Sequence, residues 1–125
     1  MTPGVGSEGR DRHTQLLRGV LDICMLALLD REPAHGYELV RRLNAAGLDA
    51  VGYGTVYPLL TRMRRLGLVA DVVEESPTGP PRKVYALTRD GRQQLATWKR
   101  QWWTFTDTIN ATITDAGSAA STTGR

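Results

Sequence analysis

Thr55 and Tyr57 stand two residues apart at the start of a run, GTVYPLLTRMRRLG, that carries Arg62, Arg64 and Arg65 further along. Hydroxyl and phenol groups exchange hydrogen bonds with base edges, and guanidinium groups neutralise phosphates through charge-assisted bonds. A second set lies in SPTGPPRK, where Gly79 is followed closely by the cations Arg82 and Lys83. A tip made of small turn residues flanked by cations can approach a backbone or a minor groove without steric hindrance. The candidate contacts to double-stranded DNA are therefore Thr55, Tyr57, Arg62, Arg65, Gly79, Arg82 and Lys83. A packing role for Tyr57, and a merely solvated face for Arg41, Arg42, Arg64 and Arg65, are the plainer readings of the same residues.

A third group is apolar and rich in aromatic rings. Leu95, Trp98, Trp102, Phe105 and Ile109 recur at steps of three, four, three and four, the spacing of a seam that meets another helix. Burying such rings contributes about 2 kcal/mol or more apiece, enough to pair two copies of the chain. The expected homodimer interface comprises Leu17, Val20, Leu95, Trp98, Trp102, Phe105 and Ile109. Trp98, Trp102 and Phe105 are also the candidate walls of a pocket for a small flat aromatic ligand. Trp103 falls one step off the seam, and the pattern gives it no role.

Other chemistry lacks its residues. There is no nucleophile elbow, phosphate-cradling glycine loop, carboxylate pair or set of ligands at metal spacing, so the expectation is neither an enzyme nor a metal or cofactor protein. Cys24, the one cysteine, sits among Ile23, Met25, Leu26 and Leu28 and reads as a small apolar group. His35 beside Gly36 reads as a local hydrogen-bonding residue, and His13 as part of a polar leader. The formal charge of +3, from 16 Lys and Arg against 13 Asp and Glu, favours an anionic partner only where the cations cluster. The opening MTPGVGSEGRDRH lacks the apolar core of a secretory signal, and the longest apolar stretch, Ile23 to Leu29, is far shorter than the roughly 20 residues of a membrane span. A cytoplasmic protein without membrane contact is expected.

Elements to position these groups follow from the period of the apolar residues. One buried helix is predicted from Leu16 to about Leu29, stopped by Arg31-Glu32-Pro33. A short amphipathic helix opens at HGYEL and stops at Gly47, and a third runs through Val56, Leu59, Leu60, Met63 and Leu66 to Gly67, with Pro58 in or near its first turn. Strands are predicted over Leu68 to Glu75 and Lys83 to Leu87, and Thr88 offers an N-cap to a long last helix. The fold class expected is mainly α with a small β-hairpin (α+β): a winged helix-turn-helix plus a C-terminal dimerisation helix. Its parts are a disordered tail over 1–12, the winged domain over 13–88, the dimerisation helix over 89–114 and a disordered tail over 115–125.

Four blocks, LLRGVLDICMLALL, HGYEL, GTVYPLLTRMRRLGLV and GPPRKVYALTRDG, follow one another in an order and spacing that resemble the PadR family of transcriptional regulators. The resemblance spans roughly Leu16 to Ile113 and is to the smaller subfamily with one C-terminal helix. It departs at Gly52 and Tyr53, where a Ser or Thr is usual, and at Arg64 and Arg65, where acidic residues are common. It implies a dimeric regulator, often a repressor, with the third helix in the major groove and the wing on adjacent backbone; Thr55, Tyr57, Arg82 and Lys83 occupy matching positions. It also implies that Trp102 corresponds to the tryptophan with which multidrug-binding members sandwich planar compounds. A winged-helix module that binds another protein in place of operator DNA is the alternative.

Overall fold

Apolar residues at helical spacing build the first part of the chain, which a computed structural model describes over residues 5–49 and 51–114. Helix α1 covers Val5–Arg18 and α2 covers Leu21–Arg31. The single helix expected from Leu16 to Leu29 is thus two. The N–H groups of Gly19 and Val20 donate only three residues back, to the carbonyls of Leu16 and Leu17 at 3.2 and 3.0 Å, and Val20 leaves the helical region with φ −129°. The leader expected to be disordered through Arg12 is helical from Val5. Its low apolar content argues against burial, not against helix, and no proline interrupts the segment. The expected tails at 1–4 and 115–125 lie outside the described residues.

Proline stops α2 as anticipated, because Glu32 before Pro33 is extended, with φ −165° and ψ 133°. The next two residues form a strand, β1 (Ala34–His35), where only a connection was expected. Two residues are too few for alternation to show, so only pairing reveals it. β1 joins β3 (Arg82–Leu87), which also pairs antiparallel with β2 (Val69–Glu74), giving the order β1-β3-β2. The register sets Ala34 opposite Tyr85 and runs from Val69 opposite Leu87 to Glu74 opposite Arg82. The expected hairpin is therefore part of a three-stranded sheet.

Between β1 and β2 lie α3 (Gly36–Ala45) and α4 (Tyr53–Arg65). Both end alike. Gly47 and Gly67 take φ of +109° and +79°, which side chains disfavour, and the N–H of the following leucine reaches back to Leu43 and Met63 carbonyls at 3.0 and 2.9 Å. Pro58 is the sixth residue of α4, so it sits in the second turn. The carbonyl it leaves without a helical donor belongs to Gly54, which is exposed to water.

Met25, Leu26, Leu29, Leu39, Leu43, Val56, Leu60 and Val69 are fully buried, so α2, α3, α4 and β2 share one core, and no polar or charged residue is buried among those described. Burial follows the helical spacing in α4 at Val56, Leu60 and Met63, whereas Leu59 is only half-buried and Leu66, just past the end of the helix, is exposed. The architecture is mainly α with a small antiparallel sheet, a helix-turn-helix followed by a β wing. Thr88 caps the start of α5 (Arg89–Ile113), its Oγ1 accepting from the Gly91 N–H at 2.9 Å and donating to the Gly67 carbonyl at 2.6 Å.

From Ala96 the chain forms a second unit, the remainder of α5. Trp102, Trp103, Phe105, Ile109 and Ile113 are all exposed there. Hydroxyls of Thr106, Thr108 and Thr112 donate to carbonyls four residues back at 3.0, 3.1 and 2.7 Å, so these threonines turn their donors into the helix. Among the described residues no helix is long and apolar enough to cross a membrane.

Candidate nucleic-acid interface

Helix α4 presents two sides. Val56, Leu60 and Met63 are buried, while Thr55, Tyr57, Arg62, Arg64 and Arg65 are exposed. Across from its first turns stands the β2–β3 wing, and between them lies a cleft of about 590 Å³. Tyr57, Gly79, Arg82 and Lys83 all line it, so four of the seven residues expected to meet DNA converge on one place. Thr55, Arg62 and Arg65 do not line the cleft; they occupy the open side of the same helix. Arg62 and Arg65 have no ion-pair partner among the described residues, which leaves both guanidinium groups available to phosphates.

Sequence reasoning missed the cleft's aromatic wall. Tyr37, in the first turn of α3, stacks on Tyr53 with ring centroids 4.4 Å apart and planes at 13°, and Tyr53 meets Tyr57 at 5.6 Å and 37°. Gly36 permits this, because a Cβ there would come within 2.4 Å of the Tyr53 ring. Burial, with Tyr37 and Tyr57 alongside, raises the Tyr53 phenol above its ordinary value. Burial likewise raises Tyr85 on the cleft floor, helped by Tyr53 and Asp71. Both phenols are therefore protonated donors at neutral pH. The only sequence signal for the wall was three tyrosines at 37, 53 and 57, a spacing that means nothing until α3 and α4 are folded together.

The cations stand beside neighbours that the sequence did not reveal. Arg82 Nη1 lies 3.2 Å from His35 Nε2. Asp71 of β2 stands 3.8 Å from both Lys83 and Arg64, linking the wing to α4. His35 has the local role expected of it, its Nδ1 accepting from the Glu38 N–H at 3.4 Å to cap α3. Arg42 does not simply point outward. It donates to the carbonyls of Glu32 and Pro33 at 2.8 and 3.4 Å and to Glu38 at 3.3 Å, tying the end of α2 to α3. Cys24 is half-buried, and burial, with Asp22 nearby, raises its thiol above the ordinary range, away from reactivity. No group of three His, Cys, Asp or Glu among the described residues is placed to hold a metal ion.

Residues 25–97 match the sequence profile of the family described as "Transcriptional regulator PadR-like family". The chain belongs to this family. It is a DNA-binding transcriptional regulator, and its helix-turn-helix and wing are those of PadR-like proteins. Among solved structures it is similar to a PadR-like regulator from Bacillus cereus, with 38% identity, 81% of this chain and 98% of the other covered, and a TM-score of 0.73. A PadR-like transcription factor from Bacteroides fragilis shares 36% identity over 82% and 99% of the two chains, with a TM-score of 0.69. A PadR family regulator from Eggerthella lenta shares 32% over 86% and 93%, with a TM-score of 0.79. Comparison with curated proteins gave no match. In PadR-like terms, the cleft joins the start of the second helix of the helix-turn-helix to its wing.

Among the residues expected at a PadR-like dimer interface, Leu17 is already buried within the single chain and Leu95 is 3% exposed, whereas Trp102, Phe105 and Ile109 are 38%, 59% and 39% exposed. Trp98 and Val20 are partly covered. Leu17 and Leu95 have therefore spent most of their surface on the monomer's own core, and of the seven expected residues Val20, Trp98, Trp102, Phe105 and Ile109 keep surface of their own.

Proposed function

We propose that this PadR-like protein works as a homodimeric repressor of cytoplasmic gene expression, each copy laying α4 in the major groove and its wing on the adjoining backbone. The convergence of Tyr57, Gly79, Arg82 and Lys83 on one cleft carries the reading, because a reading helix and a cationic tip serve one duplex only when they border a common space. Thr55, Arg62 and Arg65 complete the contact from the open side of α4. Exposed aromatic residues at seam spacing on α5 support pairing, which brings two reading helices to half-sites about 34 Å apart. A planar aromatic compound held between the two copies by Trp98, Trp102 and Phe105 would relieve repression by altering that separation.

A gel shift with duplex DNA from upstream of the protein's own gene, at two salt concentrations, tests the reading. Affinity is expected to fall steeply with salt, and Tyr57→Ala to weaken the specific complex by about 1–3 kcal/mol while the protein stays dimeric. No shift at low salt, or a shift that ignores salt, would favour a protein-binding module. For the ligand, tryptophan emission is followed as flat aromatic compounds are added, with Trp102→Ala as the control. Quenching that survives in the variant would remove Trp102 from the pocket.

A further inference from the structure

We infer that the cleft between α4 and the wing is a subsite for one sugar–phosphate unit of the DNA strand, and that Tyr37 of α3 forms its uncharged wall. This deepens the DNA-binding reading and rests on it.

Tyr37 is 63% exposed, yet it is not a loose surface residue. Its ring is stacked on Tyr53, which is itself seated over the bare backbone of Gly36. An exposed ring already fixed in place has little conformational freedom left to lose on binding. Tyr57 continues the row on α4, and Pro80 and Pro81 face it from the wing. Flat apolar walls suit the C–H faces of a deoxyribose, and the cations Arg82 and Lys83 suit its phosphate. In a duplex the bases are paired and stacked inside, so the unit that reaches such a wall from the outside is the backbone.

Arg82 is positioned to make the transfer at little cost. A neutral imidazole has one accepting nitrogen, but His35 is approached by two donors, the Glu38 N–H at Nδ1 and the Arg82 guanidinium at Nε2. The two contacts compete for one proton arrangement. When Arg82 turns to a phosphate, His35 can keep Nδ1 as acceptor and cap α3 without that competition. Lys83 is only loosely held, 3.8 Å from Asp71.

An uncharged contact and a cationic one differ in a measurable way. Removing a cation that neutralises a phosphate lowers the salt dependence of binding, whereas removing a neutral wall lowers affinity and leaves that dependence alone. The test is fluorescence anisotropy of a labelled random-sequence duplex of about 30 base pairs, long enough for two half-sites, over a range of salt. Tyr37→Ala is expected to weaken binding about tenfold with an unchanged salt slope. Tyr37→Phe, which keeps the ring face, is expected to lose less. Arg82→Ala is expected to lower the slope by about one.

Parent-like affinity of Tyr37→Ala beside weakened Tyr57→Ala and Arg82→Ala would overturn the subsite and leave the DNA reading standing. Equal losses for the alanine and phenylalanine variants would overturn the ring contact. If the parent binds the duplex and no variant differs from it, the DNA lies away from the cleft and the subsite fails; if the parent does not bind duplex at low salt, the DNA reading itself fails. Should Tyr37→Ala fold poorly, nitration by tetranitromethane and peptide mapping serve on the parent protein: duplex is expected to protect Tyr37 as it protects Tyr57, and unchanged nitration of Tyr37 would overturn the proposal. Millimolar dAMP is expected not to displace the duplex; displacement would reassign the cleft to a free nucleotide.

Discussion

Asp71 lies 3.8 Å from two cations, Arg64 on α4 and Lys83 on the wing, and its own side chain is only 17% exposed. At that separation neither pair adds much to stability, but together they set where two positive charges sit beside the cleft. Neutralising the carboxylate releases both. Asp71→Asn is expected to bind random-sequence duplex severalfold more tightly at low salt, with a salt slope steeper by about one phosphate contact. Anisotropy titrations decide it, and weaker binding would mean that Asp71 matters for orientation. Glu38 is the other acidic residue among cations. Bonding from the Arg41 guanidinium, and then from Arg42, holds its carboxyl below the ordinary glutamate range, against a smaller upward push from burial. A carboxyl lowered in this way stabilises the fold fully above its unfolded value of about 4.3, and the stabilisation is lost as pH falls through the lower folded value. Denaturant midpoints of the parent and Glu38→Gln should therefore differ near neutral pH and converge in acid; a gap independent of pH would argue that the carboxylate charge is not what matters.

Elements in this fold are positioned by their ends. Two glycines with positive φ close α3 and α4, an imidazole opens α3, and a threonine opens α5. At the last of these junctions the helix start is pressed against the sheet: Thr88 N–H donates to the Leu68 carbonyl at 3.0 Å, and a Cβ on Gly91 would lie 2.0 Å from that same oxygen. The nearest obstacle is Leu68 backbone, which cannot swing aside as a side chain could, and the Leu87 side chain lies 3.0 Å away beside it. Gly91→Ala is expected to destabilise the winged domain by about 3 kcal/mol. Chemical denaturation measures this, and a loss within experimental error would show that α5 can shift on the sheet. The helix entry matters to function because β2, which begins directly after Leu68, runs out into the wing.

For the whole molecule the decisive feature is what remains uncovered. Phe105, Ile109 and Ile113 are 59%, 39% and 73% exposed, and the threonine hydroxyls around them are turned inward, so this stretch of α5 offers apolar surface with few competing donors. Exposed apolar residues at this spacing support the pairing surface proposed above. Phe105→Asp sets a charge into the proposed seam and is expected to yield monomers with greatly weakened DNA binding, since a dimer engages two half-sites together. Sedimentation reads the mass directly; a dimer of unchanged stability would move the pairing surface elsewhere, with exposed Leu16 and Trp103 the next places to test.

Local rules read from the chain settled much of this. Pro33 as a stop, Gly47 and Gly67 as helix ends, Thr88 as a cap, and the two short runs joined by turn formers that yield β2 and β3 all depend on a few neighbouring residues, so they survive into the structure with nearly the expected limits. The break at Gly19 and the strand at Ala34 and His35 were not legible, because short turns and two-residue strands are fixed by what they pair with, and the helical leader was not, because few apolar residues speak against burial and leave helix open. The same reason divides the site. Tyr57, Arg82 and Lys83 could be named from residue type and position, but Tyr37, Tyr53, His35 and Asp71 take their roles from contacts across α3, α4 and the sheet. Chemistry carried by one segment is written in its residues; chemistry made by bringing segments together exists only once the core has set their distances.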